Sequence, residues 1–123
     1  CFLRQWLNTT FLESAFSQEE KQRMLVFEAD ANSGIEDGVS LLSGAQVEHY
    51  FPNESSRAAD ATNYAKSRLP SDGAQKTSFP WWARSSFITS EIVLPEGKLV
   101  RRMDAKFNAT PMGVRPVICI MQN

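Results

Sequence analysis

A chain of 123 residues, with 13 Lys and Arg against 14 Asp and Glu and a formal charge of −1, is long enough to bury one ordinary core without metals or disulfide staples. Its balanced charge and the lack of a basic stripe exclude a surface that neutralises a row of phosphates, so no nucleic acid partner is expected. Its apolar runs are short, as in Val117-Ile118-Cys119-Ile120-Met121, far below the ~20 residues of a membrane span, and no membrane insertion is expected.

The chain opens at Cys1 rather than Met, with a helical pattern directly behind it, and is expected to be a processed product or a piece of a larger protein. Leu3, Trp6, Leu7, Phe11 and Ala15 recur at helical spacing with Arg4, Gln5, Asn8 and Glu13 between them, which predicts an amphipathic helix. Ser17-Gln18-Glu19-Glu20 then spells a capping box, in which the Ser17 hydroxyl accepts from the Glu20 amide and the Glu20 carboxylate accepts from the Ser17 amide. The short helix that starts there is expected to carry Met24 and Leu25 inward and to fade in the turn-rich Asp30-Ala31-Asn32-Ser33-Gly34.

Val39-Ser40-Leu41-Leu42 reads as a short strand, and Ser43-Gly44-Ala45-Gln46 as a second capping box with Leu42 and Val47 placed as a hydrophobic staple. That helix is predicted to run through Tyr50-Phe51 and to stop at Pro52. From Asn53 to Ser78 the residues are polar and small, with one short helix expected around Ala58 to Ala65, and the segment reads as an excursion over the surface. Trp81 to Ser85, Ile88 to Leu94, Lys98 to Arg101 and Val114 to Met121 read as strands, with Pro95-Glu96-Gly97 as a hairpin turn. The last of them is apolar on both alternate faces and is predicted to be covered on two sides, Pro116 removing one ladder donor. Helices first and strands afterwards predict an α+β fold, a small twisted antiparallel sheet with two or three packed helices and long loops. The tryptophan segment and the last strand are expected side by side in that sheet, with the opening helix against it.

The candidate chemistry centres on Phe79-Pro80-Trp81-Trp82-Ala83-Arg84-Ser85-Ser86. Strand alternation sends Trp81, Ala83 and Ser85 to one side and Trp82, Arg84 and Ser86 to the other. Packing accounts for both indoles if each is core or half-core, with Arg84 stacked on Trp82 or bridging carbonyls. The functional alternative keeps one indole and Arg84 exposed as an aromatic and guanidinium surface for a glycan or protein ligand, with Ser86 and Arg101 as further candidates. Lys98, Arg101 and Arg102 near the hairpin could attract an anion, and a solvated face explains them equally well. Arg115, set in an apolar strand, is expected to be satisfied by a carboxylate or by loop carbonyls.

No catalytic group is assigned: His49 is the single histidine, and no G-x-S-x-G elbow accompanies it. Asp30 to Leu41 fails as a calcium loop, having Gly34 at its fifth position and Leu41 at its twelfth. Two cysteines and one histidine exclude a Cys/His metal site, and no metal or cofactor is expected. Cys1 and Cys119 allow one bridge, but two free thiols are the expectation. Asn8, Asn53 and Asn108 open N-x-[ST] triplets, of which the first lies in a predicted helix.

Taken in order, the stretches LRQWLN, AFSQEE, DGVSLLSGAQVEHYF, TNYA, WWARSS and GVRPVICI resemble an uncharacterised domain family of bacterial and phage proteins. The pattern of that family runs from R-x-W-L-N through A-F-S-x-x-E and D-K-V-F-L-L-S to W-W-L-R-S-P-G and G-V-R-P-A-L. The family in turn is similar to the C-type lectin-like fold of formylglycine-generating enzymes and of the variable proteins of diversity-generating retroelements, whose closing G-F-R strand resembles Gly113-Val114-Arg115. The resemblance implies a single C-type lectin-like domain over residues 1–123, lacking N-terminal strand residues. It also implies scaffold roles for Trp6, Trp81, Trp82, Arg84, Gly113 and Arg115, with binding left to loops. Ala83, Ser86 and Phe87 stand where the pattern has Leu, Pro and Gly, implying a different turn after Ser85. The function implied is a non-catalytic binding or display module of a bacterial surface or phage protein, at the cell exterior or on a virion, with loops from Asn53 to Ser78 and Phe87 to Asn108 presenting the ligand surface. The alternatives are an enzyme of the formylglycine-generating kind, which needs a close pair of reactive cysteines that Cys1 and Cys119 do not supply locally, and a purely structural spacer.

Overall fold

The computed structural model describes residues 2–28, 34–68, 78–84, 90–102 and 112–122. Among these residues it is a small α+β protein with five helices and small antiparallel sheets. Two compact units are present, one made of Cys1–Leu41 with Pro116–Asn123 and the other of Leu42–Arg115.

In the first unit the opening helix α1 runs through α-helical Phe2–Trp6, a π-helical turn Leu7–Phe11 and α-helical Leu12–Ala15. Polar side chains explain the wide turn. Asn8 Nδ2 donates to the Arg4 carbonyl at 3.0 Å and Thr9 Oγ1 to the Gln5 carbonyl at 2.7 Å, competing with the backbone for the acceptors of the preceding turn. The Leu12 amide accordingly reaches back five residues to the Leu7 carbonyl. Helix α2, Gln18–Gln22, starts on the expected capping box: Glu20 N–H donates to Ser17 Oγ at 3.1 Å and Ser17 N–H to Glu20 Oε2 at 2.8 Å.

The chain then departs from the sequence reading, because Met24 and Leu25 leave the helix and form strand β1, Met24–Leu25. Strands β2, Phe27–Glu28, and β3, Glu36–Asp37, pair antiparallel. The β-branched and aromatic run Leu25-Val26-Phe27 favours extended backbone over a helix. The expected strand at Val39–Leu42 is reduced to an antiparallel bridge between Ser40 and Val117. Strand β7, Cys119–Ile120, pairs with β1 in the register Met24 to Ile120 and Leu25 to Cys119. This closing segment is not covered on two sides as its composition predicted: Pro116, Cys119 and Ile120 are exposed. Leu7, Val39 and Leu41 are the buried apolar residues of the unit.

In the second unit helix α3, Gly44–Tyr50, starts on the second capping box, with Gln46 N–H donating to Ser43 Oγ at 3.1 Å and Ser43 N–H to Gln46 Oε1 at 2.9 Å. Pro52 follows the helix end as expected. The polar excursion holds two short helices rather than one, α4, Glu54–Arg57, and α5, Asn63–Ser67. Strands β4, Trp81–Trp82, β5, Ser90–Val93, and β6, Leu99–Arg102, form one antiparallel sheet in that order. The turn between β5 and β6 is the predicted one, closed by Leu94 N–H to the Lys98 carbonyl at 2.8 Å and Gly97 N–H to the Leu94 carbonyl at 2.8 Å. Gly97 has φ of 101° and a Cβ there would overlap the Glu54 backbone, so both the turn and the packing require glycine. Val47, Trp81, Ala83 and Val93 make the core, with Leu42, Ala59 and Leu99 against it. Leu42 thus packs against the cluster that contains Val47, its expected staple partner.

The tryptophan segment and the closing segment do lie side by side at one point, where Gly113 bridges Trp81 in parallel. Beyond it, Val117 and β7 pair with Ser40 and β1 in sheets of their own. The single sheet expected from the sequence is therefore replaced by three short ones among the described residues.

Candidate functional site

Residues 81–84 are held on both sides. On one side β4 pairs with β5, Trp81 opposite Val93 and Trp82 opposite Ile92, and Ala83 N–H donates to the Glu91 carbonyl at 3.0 Å. On the other, Gly113 N–H donates to the Pro80 carbonyl at 2.8 Å, Trp82 N–H to the Gly113 carbonyl at 3.0 Å, and Arg84 N–H to the Leu42 carbonyl at 2.7 Å. A methyl at Gly113 would stand 3.4 Å from Trp81 Cβ, so a small residue keeps this approach close. Backbone bonded in two directions fixes where the side chains of this strand point.

Pleating divides those side chains. Trp81, Ala83, Glu91, Val93, Leu99 and Arg101 share one face by register, and Trp82, Arg84, Ile92 and Val100 the other. Trp81 and Ala83 are buried and Trp82 and Arg84 half-buried, while Ile92 on the Trp82 face is fully buried as well. Register sets Trp82 and Arg84 on one face and Arg101 on the opposite one. There Arg101 Nε lies 2.7 Å from Glu91 Oε1, an exposed guanidinium on a nearly buried carboxylate. The carboxylate occupies the space where a side chain on Gly44 would stand, at the first turn of α3. Ser86 lies outside the described residues, as do Cys1, Asn108 and much of both predicted binding loops.

The buried face centres on Trp81. Its indole Nε1–H donates to the Arg57 carbonyl at 3.0 Å, and the Arg115 guanidinium stacks at 4.5 Å from the Trp81 ring and 5.3 Å from the Phe51 ring. Arg115 thus lies over the faces of two aromatic rings, and among the described residues no carboxylate or loop carbonyl is paired with it as the sequence suggested. Arg57, only 9% exposed, sends Nε to the Phe51 carbonyl at 2.8 Å, Nη2 to the Pro52 carbonyl at 3.3 Å and Nη1 to the Gly97 carbonyl at 3.5 Å. Sequence reasoning missed Arg57. It sits in a polar stretch with no apolar periodicity, and its only local signal is the preceding Pro52 and Asn53 turn that leaves carbonyls to be capped.

Trp6 has a different place from the other two tryptophans. It is 37% exposed and its ring meets Phe11 at 5.4 Å. Its neighbours in R-x-W-L-N carry the structural weight: Arg4 Nε lies 2.9 Å from Asp37 Oδ1 and 3.0 Å from Oδ2. Asn8 Oδ1 accepts from Gly38 N–H at 2.8 Å and Val39 N–H at 3.0 Å, while its Nδ2 donates to the Val39 carbonyl at 2.9 Å. An amide so engaged cannot double as a modification site.

The sequence profile for DUF6273, a domain of unknown function, matches residues 1–122. The chain belongs to the DUF6273 family. No curated protein and no solved structure matches it. For this DUF6273 domain the ordered motifs acquire distinct duties: R-x-W-L-N clamps residues 37–39, and G-V-R-P supplies both the glycine beside Trp81 and the arginine stacked on it.

Elsewhere in the DUF6273 domain, His49 is exposed and packs edge-on to Tyr50 at 5.0 Å. Cys119 is a free, exposed thiol. Among the described residues no group of three His, Cys, Asp or Glu is placed to hold a metal, and no helix is long and apolar enough to cross a membrane. A groove of about 220 Å³ in the first unit is lined by Phe16, Glu20, Arg23, Met24, Ile118 and Ile120.

Proposed function

We propose that this domain is a non-catalytic binding module of C-type lectin-like character, carried by a bacterial surface or phage protein, that holds a glycan or protein ligand on the Trp82 face of its three-stranded sheet. The observation that carries the reading is the two-sided anchoring of residues 81–84, which fixes a half-buried indole and a guanidinium on one strand face. An aromatic plane with an adjacent planar cation offers stacking and bidentate hydrogen bonding at little conformational cost, because the backbone beneath it is already ordered. Arg101 serves the opposite face, where it covers Glu91.

A glycan and peptide array with the purified domain tests the proposal. Trp82→Ala and Arg84→Ala are each expected to weaken a detected ligand by about 30-fold or more, the scale of a truncated binding hot spot. Both variants should keep the far-ultraviolet circular dichroism of the parent. Binding that survives both substitutions would move the ligand off this face.

A further inference from the structure

We propose that the Arg115 guanidinium is a binding site for a small carboxylate, separate from the Trp82 face. Arg115 reaches Trp81 and Phe51 only through their ring faces, and its Nη1 is buried without a hydrogen-bond partner. Among the described residues no acceptor takes any of its donors. A buried, unpaired N–H of a cation costs more than an ordinary lost hydrogen bond, so a native site with this arrangement calls for an acceptor that the described residues do not provide.

A second observation gives the sign of that acceptor. Arg57 approaches the same two aromatic residues, its carbonyl accepting from the Trp81 indole and its Nε donating to the Phe51 carbonyl. Its partners are three backbone carbonyls, with no carboxylate paired to it among the described residues. Arg115 lies over the two rings and Arg57 binds the backbone beside them, so two cations belong to this cluster with no carboxylate paired to either among the described residues, and the local potential favours an anion. The Arg115 Cζ lies over both rings, and a guanidinium stacked on aromatic faces has its N–H donors along its edge. A planar carboxylate meets that edge with two parallel N–H···O bonds.

The test uses the whole 123-residue chain with Trp6→Phe and Trp82→Phe, leaving Trp81 as the sole indole. Titration with sodium acetate and sodium succinate, against sodium chloride at matched ionic strength, is expected to change Trp81 emission with half-saturation near ~1 mM, the range of weak single-site binding. At ~100-fold excess the carboxylate should raise the melting temperature by about 5–10 °C. Arg115→Lys retains a cation over the rings but loses the planar fork, and should abolish both responses. Arg84→Ala should leave them intact, which separates this site from the Trp82 face. A response equal to that of chloride, persistence in Arg115→Lys, or tighter binding of inorganic phosphate than of succinate would overturn the proposal. If Arg115→Lys fails to fold, NMR of the arginine Nε–H groups in the unsubstituted side chain decides: the Arg115 resonance must move with succinate and stay still with chloride.

Discussion

The two units hold an arginine in opposite ways. In the first, Arg4 meets the Asp37 carboxylate, and Asn8 beside it spends its amide on the Arg4 and Val39 carbonyls and on the amides of Gly38 and Val39. In the second, Arg115 meets two ring faces, and the residue at the centre is Trp81, 2% exposed, packed with Val47, Ala83 and Val93. One centre works by direction, the other by area. The difference matters for how each fails: removing a directional hub strands the backbone donors it served, whereas removing a large ring leaves a void that neighbours fill only in part.

The comparison is broken most sharply by Trp81→Ala, expected to destabilise by about 3–5 kcal/mol, the range for truncating a buried large aromatic. Equilibrium urea unfolding measures it. Trp81→Phe keeps most of the area and the face beneath Arg115, and gives up the hydrogen bond to the Arg57 carbonyl. Its cost should stay near about 1–2 kcal/mol, and a loss as large as that of alanine would mean that direction governs this centre too.

Asn8→Ala comes next, at about 2–3 kcal/mol, because Gly38 and Val39 N–H lose their acceptor in a partly buried setting. Asn8→Asp sharpens the point. It retains an acceptor for both amides but sets a carboxylate oxygen where Nδ2 now lies 3.4 Å from Asp37 Oδ1 and faces two carbonyls. Aspartate should therefore rescue little or nothing in the same unfolding measurement. Full rescue would show that the acceptor alone matters and that the donor side of the amide is dispensable.

What could be seen in the sequence was local. Both capping boxes, the Leu42 and Val47 staple and the Pro95-Glu96-Gly97 turn are set by residues within four or five positions of one another, and all are present. Alternation put Trp81 and Ala83 on one side and Trp82 and Arg84 on the other without saying which side is inside, and only the structure shows the first pair to be the buried one. What escaped was decided at a distance. Met24 and Leu25 leave the helical register to pair with residues 119–120, and Val39–Leu42 is limited to one bridge, because pairing partners nearly a hundred residues away carry no local signature. The satisfaction of Arg115 was also unreadable, since Phe51 and Trp81 lie 64 and 34 positions before it and each looked sufficient as core by itself. Arg101 was grouped with Trp82 by proximity in the hairpin, and register across two strands is what assigns it to the other face.

The smallest expected effects compare two identical motifs in different settings. Ser43 and Ser17 each complete a capping box with the residue three positions on. Helix α3 behind Ser43 buries Gly44 and Val47, and Val47 belongs to the Trp81 cluster. Helix α2 behind Ser17 has no buried residue. A lost cap frees the first turn in both, but only in α3 does fraying pull an apolar contact with it. Ser43→Ala should therefore cost about 1–2 kcal/mol and Ser17→Ala less than about 1 kcal/mol, the upper and lower parts of the range for cap removal. Amide hydrogen exchange gives the finer reading: Ser43→Ala should speed exchange at Val47 as well as Gln46, while Ser17→Ala should act on Glu20 and its immediate neighbours alone. Equal costs would mean that the caps act through the backbone donors they satisfy, and that the packing behind them adds nothing to the difference.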